Sequence, residues 1–576
     1  MLLRMLWVVF VVSVLPACAH VQKDETVTQS LPVDAAQNNQ QVTEETSNKL
    51  SSLSPELLYS LLGGEIAGQR GDVNMASAFY VNAAKRSQNT DIALRAAQIS
   101  LYNKDIAAAR SVVDILVTDK GLSIQARRLA LTVYLRSSDV EKSLAQIRTL
   151  LEKSDIPRRN ALLAIGDVIS RNAHKDVAIS IMRVLVNENI KEAGVYLARA
   201  QMMSSFSLFD QAEKDANKTI ELDSSWQTGY VQLAQIFERK GETKAALVVL
   251  KDASEKLETK QLIMVYAQLL AKDKQYLEAK EQFLSLAQRQ QKYPDARFAL
   301  GLVYLKLDDA NNAKAIFEKL YEEDAYRSKV AFYLGRITHH QQQDTEALGW
   351  FDKVERSENY ASAQATIAII KAHSGDVEGA RSVIQRLRNE FSEATSRFYL
   401  LEAEILMDAE QYEVLYTLLT EAVIDNPDDL SLRYARSIAA TETDQLAEAE
   451  KDLLFVLAKQ PKDVNALNAL GYTLASKTFR FKEARQYLTQ ALSIRPNDAA
   501  IIDSMGWLNY REGQYEQALV LLEKAYKKTP EGEIAAHLGE ALWVLGRQME
   551  AKAVWQHALE KDKSNRYLIE VMNRLK

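Results

Sequence analysis

Apolar residues recur along most of this chain every three or four positions, in segments of about a dozen residues separated by short polar turns. That spacing places them on one stripe of a helix. Few runs of Val, Ile and Thr alternate in the manner of strands, while Ala, Leu, Glu, Lys and Gln dominate. The pattern predicts an all-α protein.

The segments also keep step with one another. Small residues align at Gly64, Ala97, Leu131, Gly166, Ala200, Ala234, Ala267, Gly301, Gly335, Ala368, Ala403, Ser437, Gly471, Gly506 and Gly539, always 33, 34 or 35 residues apart. Fourteen of these fifteen are Gly, Ala or Ser, and twelve places further on thirteen of the fifteen rows carry alanine, counting Ala484 one place late. Glycine inside a helix costs about 1 kcal/mol relative to alanine, so its regular return implies a close approach that offsets the cost. The expectation is that each row holds two antiparallel helices, with the small residue of the first facing the alanine of the second. Gly71, Gly241, Gly375, Gly513 and Gly546 all fall seven residues after the aligned position, where the first helix should end in a left-handed cap. Pro55, Pro157, Pro294, Pro427, Pro461, Pro496 and Pro530 fall at the boundaries between rows, where helix geometry tolerates them. The stretch GGEIAGQRG at 63–71 is read as aligned and cap glycines, not as a phosphate loop.

Leu300-Gly301-x-x-Tyr304 followed by Ala313-x-x-x-Phe317 resembles the tetratricopeptide repeat, as do Tyr230, Leu233, Ala234, Phe237, Ala246, Leu250 and Ala253. Rows within 89–190 fit the pattern most loosely. The resemblance implies a solenoid of about fifteen helix-turn-helix units over 54–560, winding into a right-handed superhelix, with 561–576 as a capping helix. It further implies a groove lined by residues one, four and five places after each aligned position. Toward the carboxy end these include Tyr472, Trp507, Tyr510, Arg511, Glu540 and Trp543, and Tyr, Trp and Arg are residue types that carry interface energy; the alternative is that these aromatics pack between neighbouring first helices. Further up the groove the same positions hold Arg239, Lys306, Arg336 and His339.

The amino terminus reads as an address. Arg4 precedes an apolar stretch from Met5 to Leu15, the length of a signal-peptide core and short of a bilayer span. Leu15-Pro16-Ala17-Cys18 resembles a bacterial lipobox, so 1–17 is expected to be removed and Cys18, the one cysteine in the chain, to carry lipid. Ala19 follows where an Asp would retain such a protein in the inner membrane, which points to the outer membrane. Residues 18–53 are polar, with QNNQQ and TEETSN, and read as a flexible tether.

Composition narrows the function. With 71 Lys and Arg against 77 Asp and Glu, the net charge is −6, which argues against nucleic acid as a partner. The seven histidines form no H-E-x-x-H pair, and no G-x-S-x-G elbow or Walker loop is present. The expectation is a protein with no enzyme activity, cofactor or metal.

The block NALGYTLASKTFRFKEARQYLTQALSIRPNDAAIIDSMGWLNYREGQYEQALVLLEKAY at 468–526, followed by EIAAHLGEALWVLGRQMEAKAVWQHAL, resembles the carboxy-terminal region of outer-membrane lipoproteins of LbcA type. That resemblance implies an adaptor facing the periplasm. It would bind and support a carboxy-terminal processing protease and bring it substrates such as peptidoglycan hydrolases. The rival readings are an outer-membrane lipoprotein for assembly or export of polysaccharide or protein, and an enzyme with an unrecognised site. Cys18→Ala is expected to release the protein from the outer membrane; continued outer-membrane fractionation with an intact amino terminus would remove the lipoprotein reading.

Overall fold

The computed structural model describes residues 54–576, apart from 120, 290–292, 531, 564 and 576. The lipobox with Cys18 and the polar tether up to Leu53 lie outside the described residues. The described residues form 31 α-helices and one 3-10 turn, with no strand among them. Thirty helices follow one another as fifteen helix-turn-helix units, and the last, Arg566–Arg574, stands alone. The array divides into two compact units between Ala313 and Lys314.

Within a unit, the turn between first and second helix has one construction. The residue seven places after the aligned position adopts a positive φ in thirteen rows: in five it is glycine, with φ between 77° and 90°, and in eight it is Lys104, Ser138, Ser207, Lys274, Asp308, Gln342, Glu410 or Asp444. The next N–H then reaches back five residues; Asp105 donates to the Ser100 carbonyl at 2.9 Å and Gln514 to the Asn509 carbonyl at 2.8 Å. This is the left-handed cap with its 6→1 hydrogen bond. Where that next residue is aspartate it also starts the second helix. Asp72, Asp105, Asp139 and Asp376 each accept a hydrogen bond from the N–H three residues on, at 2.8–3.1 Å. Two residues therefore end one helix, reverse the chain and cap the next.

The core of each pair differs from the expectation in one respect. The alanine twelve places on is buried, but at five aligned glycines a large side chain lies closer. A methyl group on Gly506 would lie 2.8 Å from Cγ of Leu522, and one on Gly335 would lie 2.7 Å from the ring of Phe351. The same holds for Gly64 against Tyr80, Gly471 against Leu488 and Gly539 against Trp555. The partner is a large side chain sixteen or seventeen places on, laid over the bare backbone of the first helix. These five side chains are all buried. Each adds on the order of 1.5–3 kcal/mol of apolar burial, which exceeds the propensity cost of the glycine. In 63–71, Gly64 and Gly71 have the expected roles, whereas Gly63 lies against Phe79 and Gly68 faces open space.

One stretch of the compact unit that ends at Ala313 breaks the pattern. Gly166 meets Ala198 of the next row, where an added methyl would be 2.5 Å from the alanine Cβ, and Gly194 abuts the backbone of Arg159. The helices Arg158–Asn172 and Ala193–Ser205 thus pack almost backbone to backbone. Ala173, at the cap position of this row, is extended. The loose fit of these rows to the repeat has a structural counterpart here: two first helices touch directly.

Three substitutions test this packing. Gly506→Leu and Gly539→Ala should each overpack a filled contact and lower stability by about 1–3 kcal/mol or more, whereas Gly68→Ala should raise it by about 0.5–1 kcal/mol. Thermal melting of the three variants checks the ordering; equal midpoints for all three would refute the assigned contacts.

Candidate partner-binding surface

Tyr472 lies on the helix Val464–Lys477, Trp507 and Tyr510 on Ala499–Arg511, and Glu540 and Trp543 on Gly532–Val544. These first helices lie side by side, and four of the five side chains belong to one polar and aromatic cluster. Trp507 stacks on His537, with ring centroids 4.1 Å apart and planes 18° apart, and on Tyr510 at 4.8 Å and 11°. The His537 Nδ1 is 2.9 Å from Oδ2 of Asp503. The Tyr472 hydroxyl donates to Glu533 at 3.0 Å, reaching past the intervening row, and lies 3.5 Å from His537 Nε2. Tyr510 donates to Glu540 at 3.3 Å.

The last helix lies on top of this arrangement. Arg574 donates to Glu540 at 2.5 Å. At its other end Arg566 pairs with Glu442, its guanidinium 4.5 Å from the Tyr412 ring, and the Tyr567 hydroxyl donates to Glu442 at 3.3 Å. Leu568 and Val571 of this helix are buried. The segment Arg566–Arg574 therefore occupies the inner face of the last rows, from Glu442 to Glu540, as a helix laid in a groove would.

Other expected residues have separate surroundings. Arg511 donates to the Ser476 carbonyl. Trp543 stacks on Trp555 at 5.7 Å, with Lys552 5.6 Å from its ring. Arg336 is exposed, 5.8 Å from the Phe332 ring, and His339 Nδ1 lies 2.7 Å from Asp344 Oδ1. Neither joins the cluster.

Asp503, Glu533, His537, Tyr567 and Arg574 were not among the expected residues. A signal for three of them was available. Asp503, Trp507 and Tyr510 stand at i, i+4 and i+7, and so do Glu533, His537 and Glu540, which places each trio on one helical face. Extending the groove positions backward along each first helix would have found the aspartate, the glutamate and the histidine. Nothing local marks Tyr567 or Arg574, whose carboxylate partners Glu442 and Glu540 are 125 and 34 residues away.

The electrostatics follow from burial. Burial alone drives His537 toward its neutral form. The charge and hydrogen bond of Asp503, with Glu533 and Glu540 beyond, outweigh that and hold its pKa above the ordinary value. Burial, then the charges of Glu533 and Asp503, push the Tyr472 phenol well up. Burial, then the charge of Glu540, raises the Tyr510 phenol as well, so both hydroxyls are held protonated as donors. No group of three metal-binding side chains occurs among the described residues.

Comparison with known proteins agrees with the repeat. Residues 294–326 and 434–499 match models of the tetratricopeptide repeat. Those two stretches carry the repeat, and the described residues form a solenoid of helix-turn-helix units of that type. Over 209 residues, 36% of its length, it is 39% identical to TPR repeat-containing protein PA4667 of Pseudomonas aeruginosa, and the match spans about a third (35%) of that relative. Among solved structures, yeast Tom70 is similar at 16% identity and a TM-score of 0.36, over 72% of this chain and 94% of that one. The APC/C hetero-tetramer Cut9–Hcn1 is similar at 15% identity and a TM-score of 0.31, over 86% and 98%.

The cluster gives the carboxy-terminal rows a pH dependence. A raised folded-state pKa means that the His537 contribution is complete below its unfolded value of about 6.5 and is lost as pH rises through the folded value. The melting midpoint should therefore fall as pH is raised above about 6.5, and His537→Gln should remove that part of the slope. A native midpoint that stays level over this range would contradict the assignment.

Proposed function

We propose that the chain is a membrane-anchored periplasmic adaptor that binds proteins along its first helices, activates a carboxy-terminal processing protease and delivers substrates such as peptidoglycan hydrolases to it. The observation that carries the binding half is the repeated pair. Stacked units fill their core with the facing sides of their helices and leave one face of each first helix for other molecules. In the last rows that face is covered by Arg566–Arg574, so the reading assigns partners to first helices nearer the amino end. The protease half rests on the likeness of 468–526 and the following block to adaptors of LbcA type, and the anchoring on the lipobox at Cys18.

The mechanism is proximity. Two proteins held on one array meet at a raised local concentration, and an array tied to lipid keeps them beside the membrane. No catalytic residue of the chain enters this scheme.

Tagged full-length lipoprotein isolated from envelopes should bring down a carboxy-terminal processing protease. That protease, purified, should cut its substrates faster when the chain is added. Recovery of components of an export apparatus in place of a protease would overturn the reading, and so would a protease indifferent to the chain.

A further inference from the structure

Two positions of each first helix look toward the row before it. Ile501 and Leu508, five places before and two places after Gly506, share a core with Leu467, Leu470 and Leu488 of the preceding row. Phe398 and Ile405, which flank Ala403 in the same way, share one with Ile384 and Leu387. From the row of Leu131 to the row of Gly539, the residue five places before is buried in all thirteen rows and the residue two places after in twelve, with Val168 half-buried. In the second row the same positions, Ile92 and Ile99, are half-buried. The first row departs from this rule altogether. Tyr59 and Ile66 hold the two positions about Gly64, and they are 68% and 49% exposed. Leu58 and Leu62, on the same face of the helix Pro55–Gln69, are 45% and 54% exposed. The second helix of the row adds Phe79, whose ring meets that of Tyr59 edge-on at 5.7 Å, and the exposed Met75 one turn away.

This helix is therefore turned inside out. Its buried residues are Ser60, Gly64 and Ala67, and its large apolar side chains face away from its own row. Among the described residues no helix precedes it. A stack of repeats needs a polar outer face on its terminal unit. After the last row Arg566–Arg574 supplies one, burying Leu568 and Val571. The sequence from Cys18 to Ser54 offers no apolar stripe to match, since its few large apolar residues are scattered.

We propose that this face lies on the phospholipid surface, so that lipid covers Leu58, Tyr59, Leu62 and Ile66 where later rows have a preceding row. The proposal rests on the anchoring part of the adaptor reading. Read as a tether, the segment from Cys18 to Ser54 has an average reach of about 30 Å, so the face meets lipid far more often than it meets a diffusing partner. The stripe itself suits a bilayer. It is aliphatic along most of its length, and its one polar tip is the Tyr59 hydroxyl, the build of a residue at a membrane interface. It holds no amide or charge to select a protein by hydrogen bonds. Glu56, Gln69 and Arg70, toward its two ends, are exposed. Lipid on Cys18 and this helix together make two attachments, and the first row is held at the membrane instead of ranging over the length of the tether.

The test uses the full-length chain isolated from envelopes and placed in vesicles of phosphatidylethanolamine and phosphatidylglycerol. A photoreactive benzoylphenylalanine replacing Leu62 should yield a phospholipid adduct on irradiation. The same probe replacing Val248, an exposed residue of the second helix Thr243–Leu257, should yield none. With the probe replacing Leu58, the changes Tyr59→Ser, Leu62→Ser and Ile66→Ser together should abolish the adduct and leave the melting midpoint in place, because these side chains are already exposed. Tyr59→Phe should keep the adduct. Absence of lipid at the Leu62 probe overturns the proposal. An adduct between two copies overturns it by assigning the face to a dimer, and a protein adduct in place of lipid in whole envelopes overturns it by assigning the face to a partner. The mass of the amino-terminal fragment reads the anchor separately. A chain with lipid on Cys18 and no adduct at the Leu62 probe sinks the docking of this face alone. A chain without lipid on Cys18 that still gives the adduct sinks the anchoring reading alone.

Discussion

A large side chain pressed onto bare helix backbone is the contact from which the rest of this architecture follows. Leu522 over Gly506, Phe351 over Gly335 and Trp555 over Gly539 each lock a second helix to its first at a distance that no larger residue would allow. The contact is local, sixteen or seventeen residues apart in sequence, so every unit can build its own core. It also fixes which way the first helix faces, because the side with the small residue must turn inward. The opposite side is left to neighbouring rows and to partners. Binding surface and stability thus come from one repeated choice, and the rows that depart from it, around Gly166 and Gly194, are those in which two first helices approach almost backbone to backbone.

The polar cluster of the last rows is organised on a different principle. His537, Asp503, Glu533 and Tyr472 are joined by hydrogen bonds inside the array, and Trp507 covers them by stacking. Buried polar groups joined in this way are costly to disturb, since removing one leaves the others without partners. The cluster therefore acts as a fixed floor on which the final helix rests.

Much of the fold was legible in the sequence because the repeat is local. Helix pairs, their boundaries and the left-handed caps at Gly71, Gly241, Gly375, Gly513 and Gly546 follow from spacing alone. The cap was less visible where Lys104, Gln342 or Asp444 adopts the same conformation, since nothing in a lysine or glutamine announces a positive φ. The contact partner of the small residue was misplaced by one helical turn, because the frequency of the alanine drew attention away from the variable large residue beyond it. At the candidate site the sequence pointed to Tyr472, Trp507, Tyr510 and Glu540 as neighbours along a face. It held no sign that Arg566 and Arg574 would come back to Glu442 and Glu540, because that contact depends on how successive rows turn and not on any row by itself.

The returning helix has a consequence for competition. Because Arg566–Arg574 is joined to the array by a few residues, its concentration at the last rows is that of a short tether, on the order of millimolar. An outside molecule aimed at Trp507 or Glu540 contends with a resident that never diffuses away. The last rows are thus already spoken for by the protein's own tail.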